Sequence, residues 1–239
     1  MELRVIRWLN DLIGYGDKSR GNLTSGGMTA NFIGLKLGRD YIVRDDSAQH
    51  EGMKGGWTAY VSEERHVSLD KAADAAVGIG RKYLRTIPTN DNYQVRIDVL
   101  EEAIKKTRHR VWNQFVSLAL PAITNLGAVD DLEALSKISK RENAGFTADA
   151  AYGGGMLLSN KYPGLLQADL DLADSGWPST HINGFMHRSM QEPYWWKTTI
   201  VWPVSFGMQP SYLTDQSQQK MNATSFMCMG LSNPNVSAV

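Results

Sequence analysis

Apolar positions along the chain fall into stretches of helical spacing separated by short continuous runs. Met1 to Ile13 sets Leu3, Ile6, Leu9 and Ile13 on one side of a predicted helix. Gly26 and Gly27 open a second helix, expected to run to about Leu37. Thr58 to Ser62 reads as a short strand and Leu69 to Ile79 as an alanine-rich helix. Tyr83 to Ile87 and Phe115 to Leu120 read as strands, with a helix from Ile97 to Lys106 between them. Asp130 and Asp131 begin a helix through Ser139, at the end where acids interact favourably with the helix dipole. Phe146 to Ala151 is the clearest buried strand. Alternating helices and strands predict an α/β layer with a largely parallel sheet flanked by helices.

Past Ser175 the rhythm stops. Trp177, Trp195, Trp196 and Trp202 crowd together with Met186, Met190 and Met208, and no period of 2 or 3.6 holds. The tail from Gln216 to Val239 is polar and reads as loop or disorder. The expected organisation is an ordered unit over 1–175, an out-of-frame or diverged segment over 176–205, and an ill-defined tail over 206–239.

Composition narrows this picture. With 239 residues, formal net charge 0 and 42% hydrophobic residues, the chain suits one soluble globular unit. No basic excess points to nucleic acid or an anionic membrane, and no apolar run approaches the roughly 18 residues needed to span a bilayer. The start is amphipathic rather than signal-like, and the single Cys228 fits a reducing compartment, so the cytoplasm is the expected location. No metal site is expected.

Two features carry candidate chemistry. The stretch Gly21 to Arg39, GNLTSGGMTANFIGLKLGR, looks like a loop entering a helix, which aims backbone N–H groups at a phosphate. Asp149 ends a buried strand in FTADAAYGGGML, and His66 lies between the two features in SEERHVSLDKAA. A phosphate cradle and an acid on a strand end suit pyridoxal 5'-phosphate, which carries a phosphate on one side and a protonatable ring nitrogen on another. The plainer alternatives are a helix-capping turn, an aspartate paired with a backbone or arginine donor, and a satisfied surface or core histidine.

Five blocks in order then resemble the group II pyridoxal-phosphate-dependent amino acid decarboxylases, the glutamate and aromatic amino acid decarboxylase type. They are TSGGMTAN, SEERHVSLDKAA, PAITNLGAVDDLEAL, ADAAYGGG and LADS, spanning about Leu3 to Ser175. The resemblance implies the type I, aspartate-aminotransferase-like large domain, here incomplete because the family's chains are about twice as long. It implies a homodimer that converts an L-amino acid to an amine and CO2. By this likeness Gly26, Gly27 and Met28 form the phosphate turn, and His66 stacks on the cofactor ring. Asp149 faces the ring nitrogen and Ala151 packs on the ring. Met28 stands where relatives carry a small hydroxyl residue, so only its backbone contact carries over. Thr124 and Asp130 match a segment near the cofactor, although Ala122 and Ile123 replace the usual glycine and threonine. A cofactor-binding protein without catalysis, or another lyase or transaminase reaction on the same fold, are the alternatives.

The resemblance breaks after Asp174-Ser175. The family continues to Asp-Pro-His-Lys-Trp, whose lysine holds the cofactor covalently. Here His181 is followed by Ile182. Reading the message for 176–197 in the neighbouring frame forces alanine from Trp177-Pro178, Met186-His187 and Met190-Gln191, valine from Trp195-Trp196 and glutamate from Trp196-Lys197. The remaining codons allow Asp-Pro-His-Lys-Trp, with the lysine drawn from the bases of Ile182 and Asn183. The expectation is a frameshift near Ser175 or Gly176; a diverged pseudoenzyme is the alternative. Pro210 to Asp215 again resembles the family as written.

Overall fold

The computed structural model describes residues 2–17, 19–24, 26–43, 50–52, 57–76, 78–108, 128–151, 153–158, 167–177 and 192–196. In chain order these form α1 (Glu2–Ile13), β1 (Arg20–Thr24), α2 (Gly27–Val43), β2 (Ala59–Ser62) and α3 (Ser68–Lys71), which continues into a π-helical turn at Ala72–Ala76. A 3-10 turn at Arg81–Tyr83 leads into β3 (Leu84–Ile87), followed by α4 (Ile97–Arg108), α5 (Leu132–Glu142) and β4 (Thr147–Asp149). A 3-10 turn at Gly153–Leu158, α6 (Gln167–Leu170), β5 (Ser175–Trp177) and β6 (Glu192–Trp196) complete the described elements.

The α/β architecture follows the alternation of the sequence. A four-stranded sheet has the order β1-β6-β5-β4, and β2 and β3 form a second pair. β4 and β5 run parallel, as do β2 and β3, whereas β6 lies antiparallel to both β1 and β5. All four residues of β2 are buried, as expected of a parallel strand covered on both faces. Tyr60 and Ile87 point into one apolar cluster with Ile13, Leu100, Leu135 and Phe146. Ala59, Val61 and Leu84 point into another with Leu35, Leu69 and Ala73.

Helix ends follow their local chemistry. Asp131 caps α5 by accepting from the Ala134 amide, 2.9 Å away, so this helix begins at Leu132 and not at the acids themselves. It closes at Asn143, whose left-handed φ of 51° lets the chain turn into β4. α2 runs six residues past the expected end, to Val43. It lies hard against the entry to β4, where a Cβ on Gly145 would come within 2.8 Å of Gly38 Cα. The predicted strand Phe115 to Leu120 lies outside the described residues.

Candidate functional site

β1 and α2 meet at the glycine turn. Gly26 has φ of 145°, a conformation that side-chain-bearing residues rarely adopt, and an added Cβ there would meet nothing within 4 Å. Its carbonyl accepts from the Thr29 and Ala30 amides at 3.0 and 3.2 Å, which starts α2. The amides of Gly27 and Met28 lie at the start of the helix, where intrahelical acceptors run out. The Met28 side chain is 55% exposed, so a contact there falls to its backbone.

Asp149 closes β4, 7% exposed. Its Oδ2 accepts from Asn31 Nδ2 at 3.1 Å and its Oδ1 from the Ala151 amide at 3.1 Å. Donors on both oxygens favour the ionised carboxylate. Asn31, in the second turn of α2, also donates from the same nitrogen to Ser68 Oγ at 2.7 Å. Ser68 in turn lies 2.7 Å from Nδ1 of the exposed His66. The Gly26 turn, Asp149 and His66 are thus joined through α2 into one constellation, with Ala151 half-buried beside it.

Neither Asn31 nor Ser68 stands out as a site residue in the sequence. Their signal was a polar residue inside an apolar helix run, Ala30-Asn31-Phe32-Ile33, and a serine two positions after the histidine. Asp130 is buried, and its Oδ1 receives the Val95 amide at 2.7 Å, which ties the start of α5 to the turn before α4. Asp174 accepts from the Phe146 amide at 2.9 Å and so fixes the start of β4. Thr124 and His181 lie outside the described residues. Further along α2, Asp40 receives both Lys36 Nζ and Arg39 Nε at 2.6 Å. Burial pushes the Lys36 amine below its ordinary value, and the Asp40 bond opposes that shift.

The α/β layer, with a glycine turn at the start of α2 and an acid at the end of β4, is of the type I class of pyridoxal-phosphate domain, as its likeness to solved decarboxylases shows. The residues present fit that cofactor: the turn has open space and amides for a phosphate, and the Asp149 carboxyl, with a donor on each oxygen, suits a protonated ring nitrogen. Residues 1–236 match the pyridoxal-dependent decarboxylase conserved domain, and the chain belongs to that family. It is 31% identical over 188 residues to an L-2,4-diaminobutyrate decarboxylase of Acinetobacter baumannii, covering 73% of this chain and 36% of the relative. An aromatic-L-amino-acid decarboxylase of Bacillus atrophaeus is 27% identical over 220 residues, covering 90% of this chain and 43% of the relative. Among solved structures, a glutamate decarboxylase domain from Vibrio parahaemolyticus superposes with a TM-score of 0.77 at 25% identity, covering 85% of this chain and 44% of that one. The chain therefore spans less than half the length of these relatives.

Proposed function

We propose that the protein of which this chain is the large domain removes the α-carboxylate of an L-amino acid, releasing an amine and CO2. The observation that carries the reading is the buried Asp149, held by Asn31 and Ala151 at the end of β4, in one constellation with the Gly26 turn. Pyridoxal phosphate, when bound, supplies the sink for the electron pair left as CO2 departs. The chain's own residues bind and orient it. Amides of Gly26, Gly27 and Met28 would donate to the phosphate, Asp149 would keep a proton on the ring nitrogen, and His66 and Ala151 would pack against the ring. Thr124, Asp130 and His181 complete the cofactor shell in this reading. A homodimer in the cytoplasm is the setting that the family resemblance and the single cysteine favour.

A second reading, a cofactor-binding protein without catalysis, is favoured by Ile182 standing after His181 where the family pattern has lysine. A displaced reading frame accounts for the same departure, and the sheet supports it. β6 lies between β1 and β5, yet carries Pro193 opposite Leu23, and a proline has no amide hydrogen to give to a ladder. Whatever synonymous codons are used, the neighbouring frame over Glu192 to Lys197 encodes threonine or alanine, then an aliphatic residue, leucine, valine and glutamate. That is a proline-free strand sequence at a place where a strand forms.

Sequencing the DNA across residues 170–210 tests this directly. His181, Ile182 and Asn183 should be encoded by CAC, ATA and AAT, the choices that yield His, Lys and Trp one frame away. Any other codon among the three refutes the frameshift. The frame-corrected protein should bind pyridoxal phosphate covalently and evolve CO2 from an amino acid; failure to evolve CO2 across a panel of L-amino acids refutes the decarboxylase reading. In the chain as written, borohydride should fix no cofactor to any lysine, and a labelled lysine peptide in the digest would overturn that.

A further inference from the structure

An ionised carboxylate accepts hydrogen bonds and donates none. The Asn31 carboxamide therefore turns Nδ2 toward Asp149 Oδ2, 3.1 Å away. That nitrogen has a second hydrogen, directed at Ser68 Oγ at 2.7 Å. With Oγ accepting from Asn31, the single Ser68 hydroxyl hydrogen goes to His66 Nδ1, 2.7 Å away. The Ser68 backbone N–H is directed at the same ring nitrogen from 3.2 Å. Two donors converge on Nδ1, which leaves the ring proton on Nε2. Asn31 is 1%, Ser68 2% and Asp149 7% exposed, so the chain of bonds is buried up to the imidazole, where it reaches solvent. Hydrogen bonds in such surroundings reinforce one another.

We propose that Asn31 and Ser68 are positioning residues through which the charge of Asp149 fixes the tautomer of His66, so that the imidazole presents Nε2–H outward. This deepens the proposed site and rests on that reading for its purpose. The acid that holds the ring nitrogen also sets which hydrogen the covering histidine offers. A neutral imidazole with an outward N–H serves as a donor to an anionic acceptor, such as a substrate carboxylate.

The test is made on the cofactor-free protein, so a failed decarboxylation assay leaves its outcome intact, and the reverse. Long-range nitrogen-proton spectra of 15N-histidine-labelled protein at neutral pH distinguish the ring tautomers, and the spectrum of His66→Gln assigns the His66 signal among the five histidines. His66 should appear as the Nε2–H form in the unmodified protein and in Ser68→Thr, which keeps the hydroxyl. Asn31→Leu and Ser68→Ala should each raise the Nδ1–H population several-fold. The proposal is overturned if His66 of the unmodified protein is the Nδ1–H or doubly protonated form, a measurement that needs no variant to fold. It is equally overturned if both Asn31→Leu and Ser68→Ala fold and retain the parental ring pattern.

Discussion

Asp149 and two glycines show how differently single residues constrain this domain. Replacing Asp149 by Asn in the frame-corrected protein keeps the shape of the side chain but removes the charge proposed to hold a proton on the ring nitrogen. Decarboxylation should fall by orders of magnitude with little loss of stability, and turnover near the parental value would make the aspartate merely structural. Gly26 is required by its backbone angle, since the space around it is open, whereas Gly145 is required by space, since Gly38 lies against it. Gly145→Ala should therefore cost about 1–3 kcal/mol in denaturant unfolding, because two backbones must part. An unchanged midpoint would mean that the α2 contact yields freely. Asp149 was legible because an acid at the end of an apolar run is conspicuous. Asn31 and Ser68 were not, because their partners lie 118 and 37 residues from Asn31 along the chain and only the fold brings them together.

Among elements, those with a strong period were readable and those with weak or broken patterns were not. α1 and α4 match their apolar spacing closely, and β2, β3 and β4 fall within the expected runs. β1, with the sequence RGNLT, alternates too little to stand out, and it is set by its pairing with β6. β5 and β6 leave no mark in the apolar pattern, because Ser175–Trp177 and Glu192–Trp196 follow neither period. The alanine-rich helix after His66 is a short α-helix that widens into a π turn, a distinction that apolar spacing does not encode. Beyond β2, the Glu63 carboxylate receives the Thr89 amide at 2.6 Å and its hydroxyl at 2.8 Å, latching the loop that follows β3. These bonds, the amide foremost, hold the Glu63 carboxyl below the usual glutamate range. The folded chain binds that proton less readily than the unfolded chain, so the latch contributes above the ordinary glutamate range and is lost as pH falls through the depressed value. Unfolding midpoints of the parent and Glu63→Gln should differ near about pH 7 and converge near about pH 3. A gap that stays constant across that interval would show that the carboxylate's ionisation is irrelevant to the latch.

At the scale of the whole molecule, the sheet order β1-β6-β5-β4 places Glu192–Trp196 between β1 and the β5-β4 pair. Arg20 pairs with Trp196, so β1 waits through the making of more than 170 further residues before its ladder partner exists. At about 5–20 residues per second on a ribosome, that interval is on the order of ten seconds or more. For that time β1 lacks the ladder partner it has among the described residues, next to the turn on which cofactor binding would depend. Synthesis itself therefore sets a clock on this site: a chain interrupted before residue 192 leaves the N-terminal strand without its neighbour, and a chaperone or a premature β pairing has its opening in that window.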